Sequence, residues 1–146
     1  MIATTPIHEE LWVSDLEVAL LPLEDCPVDC EGMTQVISFL LKAADIPHQV
    51  LSGYAQDRLT QAFVIPHWWI RLPCDRVIDL RLRMWLGNRD RIPHGIFRND
   101  GLKIAYHGEP MFESTIDLEM VLLLTEGQAA RIKIPRPNQE DSWSHY

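Results

Sequence analysis

Three residues carry the side chains of a nucleophilic acyl-transfer site, and they come in a usable order. Cys30 stands at the front of a strongly helical run. His67 heads the apolar stretch His67-Trp68-Trp69-Ile70, and Asp79 closes the stretch Arg76-Val77-Ile78-Asp79. A free thiol is a weak nucleophile at neutral pH because the reactive form is the thiolate. A helix start offers the positive end of a macrodipole and unmatched amide groups, which favour an anion and can hold an oxyanion. An imidazole supplies the base and later the acid, and a carboxylate fixes the tautomer of that imidazole.

These residues need particular elements around them. From Cys30 to Ala44 the apolar residues Met33, Val36, Ile37, Leu40, Leu41 and Ala44 recur every three and four positions, the pattern of one buried helix face. Asp29 reads as its N-cap, and Asp45-Ile46-Pro47 as its end. The segment 22–29, with two prolines and three acids, reads as the loop that delivers the thiol. Upstream, His8 to Leu21 has near-helical apolar spacing. Downstream the period changes. His48 to Tyr54 reads as a strand ending at Gly53, followed by a polar loop to Gln61. Phe63 to Leu72 and Arg76 to Leu82 read as strands joined by the tight turn Pro73-Cys74-Asp75, hence an antiparallel hairpin. That hairpin brings His67 and Asp79 near each other across the strands. Met84 to Asp100 reads as irregular, Leu102 to His107 as a strand, and Ser114 to Thr125 as a helix. Residues 1–134 are expected to form a single domain, with residues 1–7 loose and 135–146 a tail.

Composition narrows the function classes. The chain has 146 residues and a formal net charge of −8, with 13 Lys plus Arg against 21 Asp plus Glu. This balance argues against a nucleic-acid binder, which normally shows a basic surface. Arg71, Arg76, Arg81, Arg83, Arg89, Arg91 and Arg98 are concentrated in one region. They read either as a patch for an acidic partner or, more simply, as solvated strand and loop positions. No apolar run approaches the roughly 20 residues needed to cross a bilayer, so no membrane partner is expected. The acidic start, Met1 to Glu10, does not read as a signal peptide. Three cysteines do not read as a secreted disulfide framework, and a cytoplasmic location is expected.

A second use of the same residues is a zinc site of Cys26, Cys30, Cys74 and His67. The spacing lacks a second tight pair, and Cys30 sits at a helix start instead of a knuckle. Trp68, Trp69 and Trp12 are candidate substrate contacts. Trp68 and Trp69 point to opposite sides of their strand, so one belongs to the core and the other can wall a cleft. Trp85 is a further aromatic near this region.

The run from Cys30 through the helix to Asp45-Ile46-Pro47 and Gly53-Tyr54, then His67-Trp68-Trp69, then Val77-Ile78-Asp79, resembles the core of transglutaminase-like cysteine proteases and acyltransferases. The likeness covers Cys30 to about Trp85, a little over a third of the chain. It implies an α+β, papain-like fold in which the nucleophile helix packs on an antiparallel sheet. It implies Cys30 as nucleophile, His67 as base and Asp79 as orienting acid, acting on an amide or peptide bond of a peptide or protein through a thioester. It implies no cofactor and no metal. Asp45 stands where that family usually has glycine, and Leu80 where proline often follows the aspartate. The family also holds inactive relatives, so the alternative is a non-enzymatic scaffold that binds protein through its tryptophans and arginines.

Overall fold

The computed structural model describes residues 7–112 and 116–137. Among them the chain forms an α+β fold with a five-stranded antiparallel sheet and four α-helices. The helices are α1 (Ile7–Leu20), α2 (Cys30–Ala43), α3 (Leu82–Leu86) and α4 (Leu118–Leu124). The strands are β1 (Gln49–Asp57), β2 (Phe63–Leu72), β3 (Arg76–Asp79), β4 (Gly95–Arg98) and β5 (Ile104–Met111). The sheet order is β4-β3-β2-β1-β5.

The nucleophile helix forms as its sequence dictates. Asp29 accepts a hydrogen bond from the Gly32 amide at 2.9 Å, the capping bond that satisfies a first-turn donor. The stripe Met33, Val36, Ile37 and Leu41 is buried against Val50 of β1, Ile70 and Leu72 of β2 and Ile78 of β3. Leu16 and Leu20 of α1 and Val121 of α4 complete this core on the same side of the sheet. Alternate strand residues face away from it. Leu51, Trp69 and Val77 form a smaller cluster on the far side, joined by Phe97 and Tyr106.

The hairpin expected around Pro73 to Asp75 is present. Ile70 pairs with Ile78, Arg71 with Val77 and Leu72 with Arg76. Extended by one step, this register sets Trp69 level with Asp79, so His67 and Asp79 meet diagonally instead of directly opposite one another.

Several boundaries differ from the sequence reading. β1 does not stop at Gly53. It runs on to Asp57, with an irregularity in its pairing to β2 between Gly53 and Ala55. The glycine is there for closeness, not for a turn: a Cβ at Gly53 would lie 1.9 Å from the His107 carbonyl oxygen of β5. Arg76 to Leu82 divides into β3 and the start of α3. The stretch 84–100, which lacks a clear period, contains most of α3 and all of β4, and the strand after it reaches Met111, beyond His107. α4 begins at Leu118, capped by the Asp117 carboxylate on the Met120 amide at 2.9 Å, while Ser114 lies outside the described residues. Most of the expected loose N-terminus, 1–6, and of the tail, 138–146, lies outside them too.

Replacing Gly53 with alanine forces β1 and β5 apart. The expected outcome is a loss of about 2 kcal/mol or more, read as a lower urea midpoint. An unchanged midpoint would show that the two strands do not approach as closely as described.

Candidate active site

β3 ends at Asp79, so the first half of β2 has β1 as its only paired neighbour among the described residues. The N-terminus of α2 lies at this open margin. The Cys30 thiol points to the carbonyl oxygen of Pro66, 4.0 Å away, on the residue just before His67. A cleft of about 330 Å³ opens there, walled by Cys30, Glu31, Ile65, Pro66, Trp68 and Trp85. Cys30 is 8% exposed, so only a small part of it meets the cleft.

Behind the thiol the polar groups are tightly organised. His67 is fully buried, and its Nε2 hydrogen-bonds Asp79 Oδ2 at 2.7 Å. The Tyr106 hydroxyl donates to the same oxygen at 2.8 Å. Asp79 Oδ1 accepts from the backbone amides of Arg81 at 2.9 Å and Leu82 at 3.0 Å. As Asp79 is the acceptor, Nε2 carries the proton, and in the neutral ring Nδ1 holds the free lone pair. Nδ1 is buried and has no hydrogen bond of good geometry.

Burial is the largest influence on the ring and works against its charge. The hydrogen bond to Asp79, followed by the Cys30 thiol, outweighs it and raises His67 to about 9. The thiol stands at the carbonyl of Pro66, the residue before His67, and no bond to Nδ1 is completed. Burial, and then the Asp79 carboxylate, push the Tyr106 phenol well above its ordinary value, so it stays protonated and donates to Asp79.

Aromatic rings hold this group dry. Trp69 stacks on His67 with centroids 5.9 Å apart, and Tyr106 packs on Trp69 at 4.9 Å. Trp69 fits because β5 is bare beneath it: a Cβ at Gly108 would come within 2.6 Å of the indole.

The structure thus gathers Cys30, His67 and Asp79 in one place. Of the candidate substrate contacts, only Trp68 lines the cleft. Trp69 is buried behind the imidazole and supports it. Trp12 lies in the helical core, with its indole donating to the Pro135 carbonyl at 2.8 Å, and does not reach the cleft. The residues of the zinc alternative do not gather. The Cys26 thiol points to the carbonyls of Pro22 and Thr125, and Cys74 sits in the β2–β3 turn. Among the described residues no cluster of three or more His, Cys, Asp and Glu side chains is arranged to hold a metal ion.

Of the seven arginines from 71 to 98, Arg76, Arg81 and Arg91 are engaged within the protein, while Arg71, Arg89 and Arg98 are exposed. Arg76 is buried and pairs with Glu10 at 2.8 Å. Arg81 is buried among backbone carbonyls. Arg91 forms a two-pronged pair with the buried Asp57, at 2.7 and 2.5 Å. That pair, foremost through the Arg91 hydrogen bond, holds the Asp57 carboxyl far below its usual range.

Tyr106 and Arg81 were not singled out as site residues from sequence. The alternation of Ile104 and Tyr106 marks a strand, but nothing local says that β5 docks on β1. Arg81 shares the strand parity of Asp79, which was the available hint. Comparisons with family models, with curated proteins and with solved structures gave no match.

The imidazole supplies a pH test. Its folded-state affinity for a proton is raised from 6.5 to about 9. The resulting stabilisation is complete below about 6.5 and is lost as pH rises through about 9. A nitrogen-detected NMR titration of the ring should give a midpoint near 9, and Asp79→Asn should lower it. A native midpoint at the ordinary histidine value would contradict the buried pair.

Proposed function

We propose that the protein is a thiol-dependent hydrolase or acyltransferase acting on amide or peptide bonds. The observation that carries this reading is the buried His67–Asp79 hydrogen bond of 2.7 Å behind a ring whose charge the Cys30 thiol also favours. Attack by the Cys30 sulfur on a carbonyl forms the new C–S bond, with the thiol proton on His67 Nδ1. The anionic oxygen of the tetrahedral intermediate is met by backbone amides at the start of α2. His67 then gives its proton to the leaving amine as the C–N bond breaks, leaving a thioester. Water or a second amine, deprotonated by the same nitrogen, resolves it. Asp79 keeps Nε2 protonated throughout and stabilises the imidazolium.

The fold this implies is a papain-like core, with the nucleophile helix against the sheet and base and acid on neighbouring strands. The arrangement agrees with the order of the motifs in the transglutaminase-like likeness. Peptides and protein side-chain amides are the substrate class, and the walls formed by Ile65, Pro66, Trp68 and Trp85 suit an apolar group beside the carbonyl. The alternative is an inactive scaffold that binds protein through its tryptophans and arginines. Arg76, Arg81 and Arg91 are engaged internally, which leaves the exposed Arg71, Arg89, Arg98 and Trp85 for such a surface.

A peptidyl acyloxymethyl ketone tests the reading by intact mass. One equivalent should attach at Cys30 and none in Cys30→Ala. His67→Ala should slow attachment by about a hundredfold or more. Modification at an equal rate in His67→Ala, or at all cysteines alike, would refute the triad. With iodoacetamide, Cys30 should react first. Burial raises the Cys26 thiol and pushes Cys74, with help from Glu9, up to about 12.

A further inference from the structure

Arg81 is a charged side chain only 5% exposed, and its guanidinium is held by backbone carbonyls. Nε donates to Val28 O at 2.7 Å, Nη1 to Leu80 O at 2.9 Å, and Nη2 to Cys26 O at 2.7 Å and more weakly to Leu23 O at 3.5 Å. Three of these four acceptors lie on the segment that leads into Cys30. The backbone amide of the same residue donates to Asp79 Oδ1 at 2.9 Å. One residue therefore grips the approach to the sulfur with its side chain and the carboxylate with its main chain.

The nearby acid Glu24 is engaged elsewhere, with His94 at 2.9 Å. A planar fork with five donors can meet carbonyls in several directions at once, whereas an ammonium offers a point charge. The segment 24–29 has no regular structure of its own, and Val28 stands two residues before the nucleophile. The guanidinium's bonds to Val28, Cys26 and Leu23 thus tie the approach to α2 to the end of β3.

We propose that Arg81 is a positioning residue for the thiol site, clamping the loop before Cys30 onto the strand end that carries Asp79. This rests on the reading of Cys30 as nucleophile. It predicts a loss of reactivity that is local, not a general loosening of the fold.

The three cysteines act as reporters. Cys30 reads the site, Cys26 is a buried thiol of the clamped loop itself, and Cys74 in the β2–β3 turn reads the rest of the fold. In native protein, iodoacetamide should label Cys30 selectively. In Arg81→Ala and Arg81→Lys, labelling of Cys30 should fall by about tenfold to a hundredfold, the effect of a misplaced reacting group. Its pH profile should shift as well, Cys26 should become reactive, and Cys74 should stay as in the native protein. Millimolar methylguanidinium should restore the Cys30 rate in Arg81→Ala but not in Arg81→Lys, where the cavity is filled. Should neither variant fold, urea below the unfolding transition of the native protein gives the same comparison. Cys26 should open and Cys30 lose its advantage together, before Cys74 responds.

Selective Cys30 labelling that survives both substitutions would overturn the positioning role, as would simultaneous exposure of all three thiols. Absence of selective labelling in the native protein would instead overturn the nucleophile reading itself, so the two failures are distinguishable.

Discussion

The carboxylate of Asp79 is the group on which the local structure depends. It is nearly inaccessible to water, and it accepts four hydrogen bonds: from His67, from Tyr106 and from two backbone amides. A carboxylate has room for about that many acceptor contacts, so its hydration shell is replaced by protein donors. Bonds to a charged acceptor contribute on the order of 1.5–3 kcal/mol each, while an unpaired buried charge costs several. The arrangement is therefore close to all-or-none. Any donor that moves leaves the charge poorly compensated, which keeps the imidazole in one orientation. The ring in turn is supported by Trp69, and Trp69 by the bare glycine of β5.

Charge is distributed unusually for a chain with a net −8. Two arginines, Arg76 and Arg81, are buried, and Arg91 closes over the buried Asp57, while most other cations are exposed. The acids dominate outside, among them Asp29 and Glu31 beside the cleft. Guanidinium groups suit these interior positions because they remain charged and give up less hydration than an ammonium. Arg81 and Arg91 each fasten a loop to a strand end.

Much of this was legible in the chain itself. The α2 stripe, its Asp29 cap and the β2–β3 hairpin follow from local periodicity and turn chemistry, and the hairpin alone brings His67 to Asp79. What was not legible depends on distant packing. Gly53 looks like a strand end because glycine usually interrupts strands. Its reason for being there is the His107 carbonyl, on a strand far along the chain. Tyr106 reaches Asp79 from β5, which pairs with β1 and not with the hairpin. Trp12 and Trp69 share the residue type of a cleft wall, but only burial separates them from Trp68. The arginines resemble a surface patch in sequence because charge is normally solvated, and no local pattern says which carbonyls will receive them.

The strand order has a temporal consequence. The sulfur-bearing helix and the hairpin leave the ribosome well before β5, the last strand in chain order among the described residues. Until that strand docks against β1, the phenol that completes the carboxylate's coordination is missing. Trp69 also lacks the glycine surface on which it lies. A nascent chain would thus hold Cys30, His67 and Asp79 while still lacking the dry enclosure around them, which closes only when β5 has docked.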